Sequence, residues 1–285
     1  MDFIQPTNWD EALAAKAAHP ASVPIAGGTD VMVDLNFDRA RPEALLDLTR
    51  VRELRDWGGE DGMLRIGAGL SYTRLIAELG ERLPGLAMAA RTIGSPQIRN
   101  RGTVGGNLGS ASPAGDAHPP LVAAHAHVEL ASTRGTRRVP AREFYAGPKQ
   151  NVLADDELIA AILVTPATGA EQFSKIGTRN AMVIAACSLA LAIDPVARRV
   201  GTGIGSAGPT PLAAREAETF LEGVLGETGA WEAPVELEET AVDRFAELVA
   251  AAARPIDDVR SSAAYRRAAL RVLARRTLRW AREAA

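Results

Sequence analysis

The sequence predicts an α+β protein in two parts, residues 1–168 and 169–285, the first made of two α/β subdomains that meet near residue 56. Three observations carry that reading. Up to about residue 165, short apolar strand patterns alternate with segments of helical spacing. Residues 165–170, Thr-Pro-Ala-Thr-Gly-Ala, then have linker composition. Beyond them, three strand patterns follow one another through connections too short for helical crossovers, which makes an antiparallel meander, and the chain ends in helices.

In chain order, Asn8 is placed to cap a helix running to His19. Residues 22–25 form a compact strand that runs straight into Ala26-Gly27-Gly28-Thr29-Asp30. Strands are predicted over 45–48 and 63–68, and helices over 72–79 and 84–90. A long glycine-rich stretch, from Thr92 to Asp116, comes next. Residues 119–124 read as a helix, and 127–131 and 157–164 as strands. The meander comprises 172–176, 182–193 and 198–206. Helices are expected over 211–221, near 241–253 and over 261–284.

The chain has 285 residues, 47% hydrophobic and 24% charged, with a net charge of −3. That suffices for a core in each part and lacks the basic excess that wholesale phosphate neutralisation needs. No apolar run approaches the roughly 18–20 residues of a membrane span. The first twelve residues, MDFIQPTNWDEA, do not follow a signal peptide's basic and then apolar pattern, so a cytoplasmic location is the expectation. Cys187 is the only cysteine. One thiol neither closes a disulfide nor holds an iron–sulfur cluster, which takes about four protein ligands. It reads as a core residue, so redox chemistry has to come from a bound organic cofactor or from another chain.

Glycines after the first strand let the backbone adopt positive φ, approach a ligand closely and present consecutive N–H groups as an anion nest. A diphosphate is the natural guest. Gly102-Thr103-Val104-Gly105-Gly106-Asn107 has the same composition, with Thr103 and Asn107 adding side-chain hydrogen bonds. Either loop alone also reads as a tight turn; together they can clamp one diphosphate from two sides.

At these residues the chain resembles a known family. The Ala-Gly-Gly-Thr-Asp loop, Thr-Ile-Gly at 92–94, Gln-Ile-Arg-Asn-Arg-Gly-Thr-Val-Gly-Gly-Asn at 97–107 and Ala-Ser-Pro-Ala-Gly-Asp at 111–116 are similar to the FAD-binding (medium) subunit of the molybdenum hydroxylases, the xanthine dehydrogenase and aerobic carbon monoxide dehydrogenase family. The similarity runs along nearly the whole chain, through Phe173-x-Lys175…Arg179 and a Tyr265-Arg266-Arg267 helix. It implies an FAD domain of the vanillyl-alcohol-oxidase (PCMH) type followed by a small carbon monoxide dehydrogenase flavoprotein C-terminal domain. It also implies an oxidoreductase subunit that passes electrons from [2Fe–2S] clusters in a small partner subunit to an external acceptor. A large subunit would bind the molybdopterin cofactor, in a dimer of heterotrimers. By position, the resemblance assigns FAD binding to Pro24, Ile25, Ala26, Gly27, Gly28, Thr29, Asp30 and Val31, and to Thr103, Val104, Gly105, Gly106 and Asn107. It adds Ile93 and Gly94, Asp116 as a hydrogen-bonding carboxylate, Ile159 as an apolar contact, and Lys175 as a positive charge beside the flavin. Phe173 is a candidate to lie against the ring. The cysteine-rich insertion of some relatives is absent, and nothing here matches the molybdenum or iron–sulfur subunits.

Other readings compete. Asp116 could cap a helix, and Lys175 could be a solvated strand residue. Gly203-Ile-Gly-Ser-Ala-Gly208 formally matches a dinucleotide fingerprint, but Pro209 and Pro211 intrude and no acid ends a second strand about 20 residues on; a glycine turn after a strand fits better. His118, His125 and His127 read as satisfied or surface histidines rather than metal ligands. Ser112, His118 and Asp116 lack the elbow that presents a catalytic serine. The terminal arginines, Arg260, Arg266, Arg267, Arg271, Arg275, Arg276, Arg279 and Arg282, form either a solvated basic face or a dock for an acidic partner. Two rival functions share the fold: a self-sufficient flavin oxidase, for which no base or substrate cap is visible, and a binding module that has lost FAD.

Overall fold

A computed structural model describes residues 1–233 and 235–283. It separates into two compact units: residues 1–77, 94–111 and 126–165, and residues 78–93, 112–125 and 166–285.

In the first unit, β1 (Asp2–Ile4), β2 (Val23–Ile25) and β3 (Ala44–Asp47) form a parallel sheet in the order β1-β3-β2. Between β1 and β2 lies α1 (Trp9–Ala18). Asn8 caps it, its side chain accepting from the Glu11 amide at 2.9 Å, while the Glu11 carboxylate accepts from the Thr7 amide at 2.8 Å. Between β2 and β3 comes the short α2 (Val31–Asn36). A five-stranded antiparallel sheet follows, in the order β4-β5-β10-β6-β7, from β4 (Trp57–Glu60), β5 (Met63–Gly67), β6 (His127–Ser132), β7 (Gly135–Pro140) and β10 (Leu158–Val164). The pair β8 (Tyr145–Gly147) and β9 (Gln150–Asn151) stands apart. Every residue of β10, Leu-Ile-Ala-Ala-Ile-Leu-Val, is buried, as an unbroken apolar run at the centre of a sheet requires. Helix α3 (Tyr72–Leu79) leads out of this unit.

The second unit holds α4 (Pro84–Thr92), then, past two helices of the first unit, α5 (Pro96–Arg101) and α6 (Val104–Ser110), the buried α7 (His118–Ala123). The predicted meander follows as β11 (Glu171–Ile176), β12 (Cys187–Asp194) and β13 (Arg199–Gly205). α8 (Arg215–Glu227), α9 (Glu239–Ala252) and α10 (Ala263–Glu283) complete it. Leu189, Leu221, Phe245, Val249, Leu270 and Leu278 are fully buried in its core, as is Cys187.

Several expectations need correction. β12 begins at Cys187 rather than 182, because Met182 has φ +49° and its carbonyl accepts from the Arg179 guanidinium, which makes a turn. α8 begins at Arg215 rather than 211, since Ile204 and Leu212 exchange backbone hydrogen bonds and the Ala214 amide donates to Thr202 Oγ1 at 2.8 Å. The terminal helix spans 263–283; Ala284, the end expected for it, lies outside the described residues. On this helix Arg267, Arg271, Arg276 and Arg279 are exposed, and several of its arginines are paired. Arg271 pairs with Glu247, Arg275 with Asp243 and Glu239, and Arg279 with Glu239, all on α9, while buried Arg266 pairs with Asp258. Among the described residues no helix is long and apolar enough to cross a membrane.

Candidate functional site

The glycine-rich stretch expected as a loop folds into two capped helices. Ser95 caps α5, accepting from the Ile98 amide at 3.3 Å, and Thr103 caps α6, accepting from the Gly106 amide at 2.9 Å. In the first unit α6 meets the Ala26–Asp30 loop. The Cα of Gly27 lies so close to the chain at Arg101 that an added Cβ would sit 2.1 Å from the Arg101 carbonyl oxygen. A Cβ on Gly105 would sit 2.4 Å from that of Ala68. These two glycines are required by the protein's own backbone. Gly106 differs: a Cβ there meets only Thr103 Oγ1, at 3.0 Å, and one on Gly109 meets only Ile159 Cδ1, at 3.9 Å. Gly106 and Gly109, one turn apart and both exposed, leave a strip of bare helix beside Ile159.

Hydrogen bonding divides the two stretches more sharply. In α6 the amides are spent inside the protein: Val104 on the Leu70 carbonyl, Gly105 on Ala68, Gly106 on the Thr103 hydroxyl and Asn107 on the Thr103 carbonyl. Among the described residues, nothing accepts from the consecutive amides of Gly27, Gly28, Thr29, Asp30 and Val31. Gly28, at φ +75°, supplies the turn that lines them up. Asn107 Oδ1 is buried without a partner.

The second unit brings together Asp116, Lys175 and Thr92. Lys175 Nζ is 2.5 Å from Asp116 Oδ2, which also accepts from the Thr92 hydroxyl at 3.0 Å. Both charged side chains are over nine-tenths buried, and Asp116 Oδ1 has no partner. Burial pushes the Asp116 carboxyl above the usual range, against the pull of the Lys175 ammonium. Asp116 therefore does not cap α7, which starts after Ala117 without a side-chain cap, and Lys175 is not solvated. Ile93 also belongs to this unit, whereas Gly94, Ile159 and residues 24–31 and 103–107 belong to the first. Phe173 is 9% exposed in an apolar cluster with Ala89, Ala123 and Ala190.

Glu171 went unnoticed in the sequence. Its Oε2 accepts from the Gly85 amide at 3.0 Å, in the first turn of α4, and burial raises its carboxyl to about 7. Ser110 and Gly109 were also passed over, since neither carries a motif of its own. His118 is fully buried, which lowers it to about 3. Among the described residues no group of three or more His, Cys, Asp or Glu could hold a metal. Gly203–Gly208 ends β13 as a turn, with Ser206 at φ +58°.

Comparison with known proteins shows the family. Residues 1–167 match the FAD binding domain in molybdopterin dehydrogenase, and residues 172–281 match the CO dehydrogenase flavoprotein C-terminal domain. The xanthine dehydrogenase FAD-binding subunit of Escherichia coli O157:H7 is 34% identical over 218 residues, 73% of this chain and 74% of that one. The nicotinate dehydrogenase FAD-subunit of Eubacterium barkeri is 31% identical over 235 residues, 78% of this chain and 79% of its own. In a solved structure of the carbon monoxide dehydrogenase of Hydrogenophaga pseudoflava lacking the Mo-pyranopterin moiety, one chain superposes with a TM-score of 0.89 at 29% identity, covering 99% of this chain and 98% of that one.

Proposed function

This chain belongs to the FAD-binding subunits of the molybdenum hydroxylases, and on that premise we propose that it holds the FAD diphosphate on the amides of Gly27, Gly28, Thr29, Asp30 and Val31. It is an oxidoreductase subunit with an electron-transfer role in a multi-subunit complex. FAD, when bound, accepts electrons singly and releases them in pairs to an external acceptor.

The residues present suit that cofactor. A row of unspent N–H groups surrounds an anion with oriented dipoles and needs no lysine or arginine. Pro24, Ile25 and Ala26 lead the chain into that row. Asn107 Oδ1, buried and unsatisfied, would accept a hydroxyl or N–H. Thr103, Val104 and Gly105 keep α6 in place, and the bare strip at Gly106 and Gly109 beside Ile159 leaves apolar room. Ile93 and Gly94 stay assigned by resemblance alone. So do Asp116 and Lys175 as groups acting on the flavin, with Asp116 Oδ1 free to accept and the Lys175 charge already balanced. The same reading places the functional division of the chain near residue 168.

The partners in this reading are a large molybdopterin-binding subunit and a small [2Fe–2S] subunit, in a cytoplasmic dimer of heterotrimers. Metal analysis of a sized complex and cell fractionation test those assignments.

The observation that carries the proposal is the row of free amides, and flavin content tests it. A Gly28→Val variant puts a β-branched residue at φ +75°, straining the turn that lines up the amides, and leaves α6 untouched. It should emerge from desalting with FAD content reduced at least tenfold and an unchanged circular dichroism spectrum. Full FAD content in the folded variant would sink the assignment.

A further inference from the structure

The two glycine-rich stretches are not equal halves of one anion clamp. The amides of α6 are spent inside the protein and those of residues 27–31 are not, so under the reading above the first loop offers the diphosphate its open N–H groups. What α6 offers that loop is a tether. The Ser110 hydroxyl, at the last position of α6, donates to the Asp30 carboxylate, while the Gly106 carbonyl lies 3.0 Å from the same oxygen. One hydroxyl has one proton, and a carboxylate is the stronger acceptor.

Asp30 is the hazard in the row. Its carboxylate belongs to the same loop as the free amides, and aspartate side chains readily fold back onto neighbouring backbone N–H groups. Released, it would take the amides for itself and present a negative charge to an incoming anion. We propose that Ser110 is a positioning residue for FAD: by holding the Asp30 carboxylate against α6, it keeps the amides of residues 27–31 open to the diphosphate.

A double-mutant cycle tests this, with FAD dissociation constants of the full-length flavin-free chain read from quenching of flavin fluorescence. Ser110→Ala should weaken FAD binding by about tenfold, which corresponds to about 1.4 kcal/mol, and Ser110→Thr, which keeps the hydroxyl, should restore it. In an Asp30→Ala background, where no carboxylate needs holding, Ser110→Ala should change affinity by less than twofold. An equal loss in both backgrounds, or no loss in either, overturns the role of Ser110. Failure of the unsubstituted chain to bind FAD overturns the underlying assignment instead. Matching urea midpoints for all variants separate the effect from misfolding.

Discussion

Asp116 and Glu171 are carboxylates of one unit, both withdrawn from water and satisfied in opposite ways. Asp116 meets an ammonium and a hydroxyl and still keeps one oxygen free. Among the described residues Glu171 meets only the Gly85 amide, in the first turn of α4, and its carboxyl rises to about 7. The first is a charged pair poised around an unused acceptor. The second is an acid held near its titration point by packing. Burial raises both, so burial alone does not mark a functional carboxylate.

Substitution can break or sharpen that contrast. The largest effect belongs to Lys175→Met, which leaves Asp116 buried without its cation. Urea denaturation of the flavin-free chain at neutral pH should show a loss of about 3–5 kcal/mol. The loss should shrink as acid protonates Asp116, and one below about 1 kcal/mol would show that the pair does not hold this carboxylate. Glu171→Gln comes next, through pH. The folded acid keeps its proton up to about 7, whereas the unfolded one releases it near 4.5. Stability conferred by Glu171 is therefore complete below pH 4.5 and is lost as the pH rises to about 7, on the order of 3 kcal/mol. Denaturation midpoints of the glutamine variant should lack that decline; an identical pH profile refutes the assignment. The smallest effect is Thr92→Val, which removes one of two partners of Asp116 Oδ2 and should cost about 1 kcal/mol by the same denaturation.

Much of this was legible in the sequence where the signal is short-range. The Asn8 cap, the apolar run of β10 and the close-set meander were all visible, because neighbouring residues specify each. Short-range patterns failed in the stretch from Thr92 to Asp116, where glycines hid two helices whose caps, Ser95 and Thr103, were in plain view. The parallel sheet of β1, β2 and β3 was harder still. Its strands run three or four residues, and β1 pairs with a strand some 40 positions away.

The candidate site shows a subtler limit. Glycine pairs suggest approach to a ligand, and the sequence cannot separate that from approach to the protein's own backbone. Gly27 and Gly105 turn out to serve the backbone, against Arg101 and Ala68. Only the hydrogen-bond inventory distinguishes the stretch with open amides from the stretch without. Glu171, Gly109 and Ser110 carry no motif, so nothing short of tertiary structure could have singled them out.

Cys187 has a practical consequence. It has no exposed surface at the start of β12, and burial pushes its thiol up to about 12, so the native chain is inert to alkylating reagents. A maleimide that marks the intact complex marks its partners. Modification of this chain must wait for β12 to come free, which makes a single natural atom a clock for the opening of the second unit.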